Sequence, residues 1–102
     1  MKYQLVLQWP AFSIKDYETM IGIEEALVEK LSEANDVDGH DAGKGEVNIF
    51  ICTDDPNSAF NEVKAILGDR GSWVDVRVAY REMAGGEYTI LWPEDLTKFK
   101  VA

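Results

Sequence analysis

The chain contains one cysteine, Cys52, and one histidine, His40, among its 102 residues. A single cysteine cannot form an intrachain disulfide, and the paired cysteine spacings of structural zinc sites are excluded with it. We therefore expect Cys52 to pack as a small hydrophobic residue on a strand. His40 is the only imidazole that could serve as a general base near neutral pH.

Positive charge is scarce, since 10 Lys and Arg residues face 19 Asp and Glu residues and the formal net charge is −9. No run of basic residues offsets this charge locally. The negative charge therefore opposes the counterion-release attraction that dominates binding to phosphate backbones. We expect no nucleic-acid partner. A basic protein partner stays open, because an acidic surface steers such a partner toward it.

Long hydrophobic runs are also lacking. The start of the chain offers only Leu5, Val6 and Leu7 in succession, whereas a signal peptide needs roughly 7 to 15 apolar residues and a membrane helix about 20. We expect no membrane association and a cytoplasmic location. With 46% hydrophobic residues, the chain can close one core, which predicts a single domain over residues 1–102.

Two periodicities alternate along the first third of the chain. Apolar residues recur at every second position over residues 2–9, which predicts a strand that Pro10 ends. A helix over 14 to about 32 follows, with Ser13 as its N-cap, Asp16 in its first turn and Phe12 packed on Tyr17. The residues predicted to form its buried face are Tyr17, Ile21, Glu24, Leu27, Val28 and Leu31.

A weak polar strand and a strong apolar strand come next. Residues 34–41 predict an edge strand with Asp36, Asp38 and His40 on one face. A glycine turn at 43–45 then leads to a central strand at 46–53, where both faces are largely apolar. One face of that strand carries Val47, Ile49 and Ile51. The other carries Asn48, Phe50 and Cys52.

The second half of the chain repeats the pattern. Asp55 is the expected N-cap of a helix with Pro56 at its first position, and Gly68 or Gly71 ends that helix. Alternation over residues 74–80 predicts a strand, and a Gly85-Gly86 turn returns it into a last strand at 88–92. We expect the tail at 94–102 to form only a short turn around Leu96 and Phe99.

The element order predicts an α+β fold, a ferredoxin-like βαββαβ plait with an added C-terminal strand. Two helices would cover one face of an antiparallel sheet of order 4-1-3-2, with the fifth strand beside the fourth. The strings VDGHDAGKGEVNIF, TDDP and EYTILWP also resemble a group of small uncharacterised bacterial proteins with this α/β plait. The resemblance spans most of the chain and implies no activity.

This order leaves the other sheet face without helices, and Val6 and Phe50 would expose apolar area there beside polar groups. Such a mixed surface suits a dimer interface or a shallow ligand site, so the leading interpretation is a homodimeric binding or accessory module. We expect no cofactor. The candidate binding residues are Gln8, Asn48, Phe50, Arg77 and Tyr88.

An enzyme is the alternative, with His40 and Asp38 as an acid–base pair in which Asp38 orients the imidazole. Neither a metal nor a phosphate site is expected. The nearby acidic residues do not match the calcium-loop pattern, and the glycines around residue 43 do not precede a helix. A third possibility, an acidic inhibitor of a basic toxin, rests on the net charge alone.

Overall fold

The structure is a computed structural model that describes residues 1–10, 17–43, 45–68, 73 and 75–101. The described residues form five strands and two helices in the order β1 (Tyr3–Pro10), α1 (Tyr17–Lys30), β2 (Asn35–Gly43), β3 (Glu46–Thr53), α2 (Pro56–Leu67), β4 (Arg77–Glu82) and β5 (Thr89–Trp92). The predicted N-cap Ser13, together with Phe12 and Asp16, lies outside the described residues. The strand predicted from residue 74 begins later, at Arg77.

All five strands form one antiparallel sheet of order β2-β3-β1-β4-β5. The first strand therefore lies at the centre, between β3 and β4, and β5 pairs with β4 as the sequence predicted. The α+β class, with two helices and an antiparallel sheet, is confirmed. Within the described residues, no helix is long and apolar enough to cross a membrane.

Both helices pack against the same side of the sheet. Leu5 and Leu7 of β1 pair with Ile51 and Ile49 of β3, and these four side chains are fully buried in the core. The same hydrophobic cluster takes in side chains from α1 and α2, including Ile23, Leu27, Ala59, Val63 and Leu67. We call this side of the sheet the helix face and the opposite side the helix-free face.

The buried stripe of the first helix agrees only in part with the predicted one, since Leu27 is fully buried and Ile21 and Leu31 are partly buried against the core. Met20, Ile23 and Leu27 are buried at spacings of three and four residues, whereas Val28 is 64% exposed. Successive residues of an α-helix are about 100° apart, so a helix that buries Leu27 turns Val28 away from the sheet. The prediction that Val28 is buried was wrong.

The second helix begins where the sequence predicted. Asp55 is the N-cap, and its Oδ1 accepts a hydrogen bond from the Ser58 backbone N–H at 3.1 Å, with Pro56 in the first turn. Its neighbour Asp54 accepts instead from the backbone N–H of Lys2 at 2.9 Å. The two adjacent aspartates therefore have different roles: Asp55 caps α2, and Asp54 binds the backbone just before β1.

The helix-free face is not bare. Val6 and Ala79 are fully buried there, although the sequence suggested that Val6 would be exposed. The tail, residues 93–101, crosses part of this face: the Gln8 Nε2 donates to the Lys100 carbonyl at 2.9 Å, and the Phe99 ring lies 4.9 Å from that of Tyr88. The expectation of an uncovered face was wrong because a segment without helix or strand supplies its cover.

Candidate functional site

A β-bulge in β2 decides which way the only histidine points. Val37 pairs with Ile51, but the next registered pair is Gly39 with Phe50, so Asp38 is an extra residue with no partner of its own in the register. Gly39 adopts a φ of +140°, a conformation open to glycine and strained for other residues. Because side chains alternate along a strand, one inserted residue moves every later side chain to the opposite face.

His40 consequently pairs in register with Ile49 on the helix face. Its Nδ1 lies 2.9 Å from the Glu24 Oε2 of α1, and the two side chains are 28% and 18% exposed. The expectation that Asp38 shares a strand face with His40 was wrong. Asp38 lies at the bulge, where the register with β3 shifts between Val37 and Gly39.

The His40–Glu24 pair has the parts of an acid–base device. An imidazole that carries its proton on Nδ1 donates a hydrogen bond to the Glu24 carboxylate, and this contact fixes the ring orientation. The pair also links β2, an edge strand, to α1. A structural link between an edge strand and a helix needs the same contact, so the geometry alone does not assign chemistry.

A cleft of about 640 Å³ opens on the helix-free face, between the sheet and the tail. This volume falls within the usual range of small-molecule sites, about 300–1,000 Å³. Three of the five binding residues predicted from the sequence, Gln8, Arg77 and Tyr88, line it. The complete lining is Gln8, Glu46, Arg77, Glu87, Tyr88, Ile90, Thr97, Lys98, Phe99 and Lys100. We refer to it as the tail cleft.

The other two predicted residues lie on the same face outside the lining. Asn48 is 1% exposed and sits beside Gln8, its register partner on β1. Phe50 is half-buried and pairs with Val6, further along the same strands. Asn48 therefore belongs to the support of the tail cleft, while Phe50 lies apart from it.

A buried polar chain forms the floor of the tail cleft. The Gln8 Nε2 donates to the Asn48 Oδ1 at 3.1 Å and to the Lys100 carbonyl at 2.9 Å. The Asn48 Nδ2 in turn donates to the Glu46 Oε1 at 3.3 Å. Since buried polar groups are costly unless hydrogen-bonded, these bonds fix both the floor and the position of the tail over it.

Tyr88 forms an aromatic wall with Phe99, their rings in an edge-to-face arrangement, and the Arg81 guanidinium lies 4.9 Å from the Tyr88 ring centroid. Burial raises the pKa of the Tyr88 phenol, Glu46 raises it further, and Arg81 opposes them. The phenol is therefore protonated at neutral pH. It can both donate a hydrogen bond and accept one.

The lone cysteine lies on the helix-free face outside the lining of the tail cleft. Burial is the main cause of the raised pKa of the Cys52 thiol, followed by the charges of Asp38 and Asp36. A raised thiol pKa disfavours the nucleophilic thiolate. In the described ranges, no group of three or more His, Cys, Asp or Glu side chains is arranged to hold a metal ion.

The sequence did not identify the tail as part of a site. Phe99, Lys98 and Lys100 line the cleft, yet their segment lacks the periodicity of a helix or strand. One signal was present: Leu96, Phe99 and Val101 are apolar residues among charged ones, and apolar side chains are stabilised by burial against another surface.

Comparisons of the chain with family models, with curated proteins and with solved structures found no match. The resemblance to small uncharacterised bacterial plait proteins therefore stays a prediction.

Proposed function

We propose that this chain is a small binding module whose site is the tail cleft. The observation that carries the proposal is the convergence of Gln8, Arg77 and Tyr88 on one concave surface with a polar floor and an aromatic wall. Ligand sites generally combine apolar walls with a few fixed polar groups. We also propose that the fold is a ferredoxin-like plait, supported by the sheet order and by both helices packing on one face, and that the compartment is the cytoplasm.

The direct test is an NMR titration of the isotopically labelled protein with two aromatic fragments of similar shape, benzamide and benzoate. Binding in the tail cleft shifts the side-chain amide of Gln8 and the backbone amides of Tyr88 and residues 97–100. Tyr88→Ala should abolish these shifts, because it removes the wall. Val28→Ala is the control, since Val28 is exposed on α1. Shifts confined to other surfaces, or none, would contradict the proposal.

Homodimerisation through the helix-free face remains an alternative form of the same module. Val6 is covered by its own chain, so the apolar contact left for a partner is Phe50. Light scattering at micromolar concentration tests this directly. If the dimer forms, Phe50→Asp should convert it to a monomer, because a buried unpaired charge is costly. A monomer for the unchanged chain rules it out.

A catalytic role for His40 is the second candidate function, favoured by the 2.9 Å contact with Glu24. It predicts that His40→Ala and Glu24→Gln both abolish an activity while the fold persists. If Glu24→Gln only lowers stability and no reaction depends on His40, the pair is structural. The hypothesis of an acidic inhibitor is supported by the net charge alone. No surface of the described residues adds to that support.

A further inference from the structure

Arg77 is a cation that pairs with no other described residue, in a strongly acidic chain. Within the part of the chain that the structure describes, its guanidinium makes no hydrogen bond and no ion pair, although the chain has nearly two acidic residues for each basic one. Arg77 lies on β4 and lines the tail cleft. A guanidinium offers five N–H donors in a planar fork that matches carboxylate and phosphate oxygens.

The surroundings of Arg77 reinforce this local positive charge. Lys98 and Lys100 of the tail line the same cleft, against Glu46 and Glu87. One of these two carboxylates is already engaged, since Glu46 accepts a hydrogen bond from the Asn48 side chain. Three basic and two acidic residues therefore line the tail cleft, the reverse of the balance in the chain as a whole, while Asp75 and Asp95 line a separate cleft on another side of Arg77.

The acidic charge elsewhere does not cancel this effect. At physiological ionic strength, exposed charges further apart than about 8 Å are largely screened from each other. A bound anion in the tail cleft therefore responds mainly to the charges that line it, three basic and two acidic, and less to distant carboxylates such as those of α1. The overall charge of −9 still lowers the rate at which anions approach.

The wall of the tail cleft specifies a second part of the ligand. The rings of Tyr88 and Phe99 and the side chain of Ile90 provide apolar surface in the same cleft as Arg77. Flat apolar groups pack on such a surface, and the protonated Tyr88 hydroxyl adds one hydrogen-bonding partner. A small inorganic anion would satisfy Arg77 and leave this surface unused.

We propose that the tail cleft binds a small organic anion, a carboxylate or phosphate group joined to a flat apolar body, with the anionic group on Arg77 and the body against Tyr88 and Phe99. This inference rests on the proposed function, because it names the class of ligand for the same site. Carboxylate and phosphate share the chemistry that Arg77 recognises, and the experiment separates them.

The experiment is an isothermal or NMR titration with four probes: benzoate, benzamide, phenyl phosphate and inorganic phosphate. Benzoate should bind at least about tenfold more tightly than benzamide, equivalent to about 1.4 kcal/mol, and its affinity should fall as salt is raised. Phenyl phosphate should bind more tightly than inorganic phosphate. Whichever of benzoate and phenyl phosphate binds more tightly identifies the preferred anionic group.

Two variants of equal charge change locate the effect. Arg77→Gln should weaken benzoate binding about tenfold and leave benzamide unchanged, whereas Lys30→Gln, an exposed position on α1, should change neither. Arg77→Lys keeps the charge but loses the fork, so it should recover only part of the affinity. Arg77 is exposed, and circular dichroism of each variant verifies that the fold is retained.

The outcomes separate this inference from the proposed function. If benzoate and benzamide shift the tail cleft with equal affinity, or if Lys30→Gln weakens benzoate as much as Arg77→Gln does, the anion inference is overturned and the binding module stands. If inorganic phosphate binds as tightly as phenyl phosphate, the apolar part of the inference fails. If no probe shifts the cleft at millimolar concentration, both proposals fail.

Discussion

Gln8→Ala tests whether the buried hydrogen bonds of the floor hold the tail in place. The Gln8 side chain is 4% exposed, and its amide donates two hydrogen bonds, one to Asn48 and one to Lys100. Each such bond contributes about 0.5–1.5 kcal/mol, and an unsatisfied buried acceptor costs about 1–3 kcal/mol. With the Asn48 oxygen left without its donor, we expect the free energy of unfolding to fall by about 2–4 kcal/mol, a large part of the total for a domain of this size.

The matched control is Gln4→Ala. Gln4 lies on the same strand and the same face and is half-buried, but within the described residues its side chain makes no hydrogen bond. Its loss should cost less than about 0.5 kcal/mol. Urea denaturation gives both values, and amide hydrogen exchange over residues 97–101 reports whether the tail is released. Equal losses for the two variants, with unchanged exchange in the tail, would refute the reasoning.

Three further predictions concern other described groups. Asp55→Ala should lower stability by about 0.5–2 kcal/mol through loss of the cap, and Asp54→Ala should cost less; equal urea midpoints would contradict the different roles of the two residues. Because the folded-state pKa of Tyr88 is raised, its stabilising contribution is complete below the unfolded pKa of about 10 and is lost as pH rises through the higher folded value; urea midpoints over that range should fall less steeply for Tyr88→Phe. Cys52, whose thiol pKa is raised, should react more slowly with a chromogenic disulfide reagent in the native protein than in urea, and Asp38→Asn should accelerate the native reaction.

The parts of the fold that the sequence predicted are those fixed by short-range pattern. The recurrence of apolar residues at every second position from Tyr3 to Trp9, with Gln4 and Gln8 between them, identifies β1 and the face that packs on the helices, because side chains alternate between the two faces of a strand. Asp55 and Pro56 identify the start of α2 for an equally local reason: the cap bonds a backbone group three residues away. Local chemistry of this kind needs no knowledge of the rest of the chain.

The direction of His40 could not be predicted in the same way. The residues before the bulge alternate as expected. The local sequence does not show that Asp38 has no paired residue on β3. Gly39 is the one local indication of the bulge, because a glycine inside a strand often marks one. The helical pattern predicts that Glu24 lies on the buried face of α1. It does not predict the contact with His40, which is 16 residues away along the chain.

The covered state of the helix-free face was missed because burial there depends on the tail, which has no secondary structure to recognise. Val6 and Gln8 are buried, although a five-stranded sheet with both helices on the other side leaves them open by topology alone. The hydrogen bond from Gln8 to the Lys100 carbonyl and the contact of Phe99 with Tyr88 show that the tail forms a third layer over part of the sheet. The candidate cleft exists only because this layer is present, since residues 97–100 form one of its sides.

The two halves of the helix-free face consequently favour different partners. Around Phe50 and Cys52, burial and then the carboxylates of Asp38 and Asp36 raise the pKa of the Cys52 thiol, and the N-terminal ammonium opposes them. In a two-fold dimer the same patch faces itself, so an interface centred there would bring these carboxylates toward their own copies, which is unfavourable for like charges. The half beside the tail carries Arg77 instead, and that difference in charge is the physical reason to look for a small anion before a second copy of the chain.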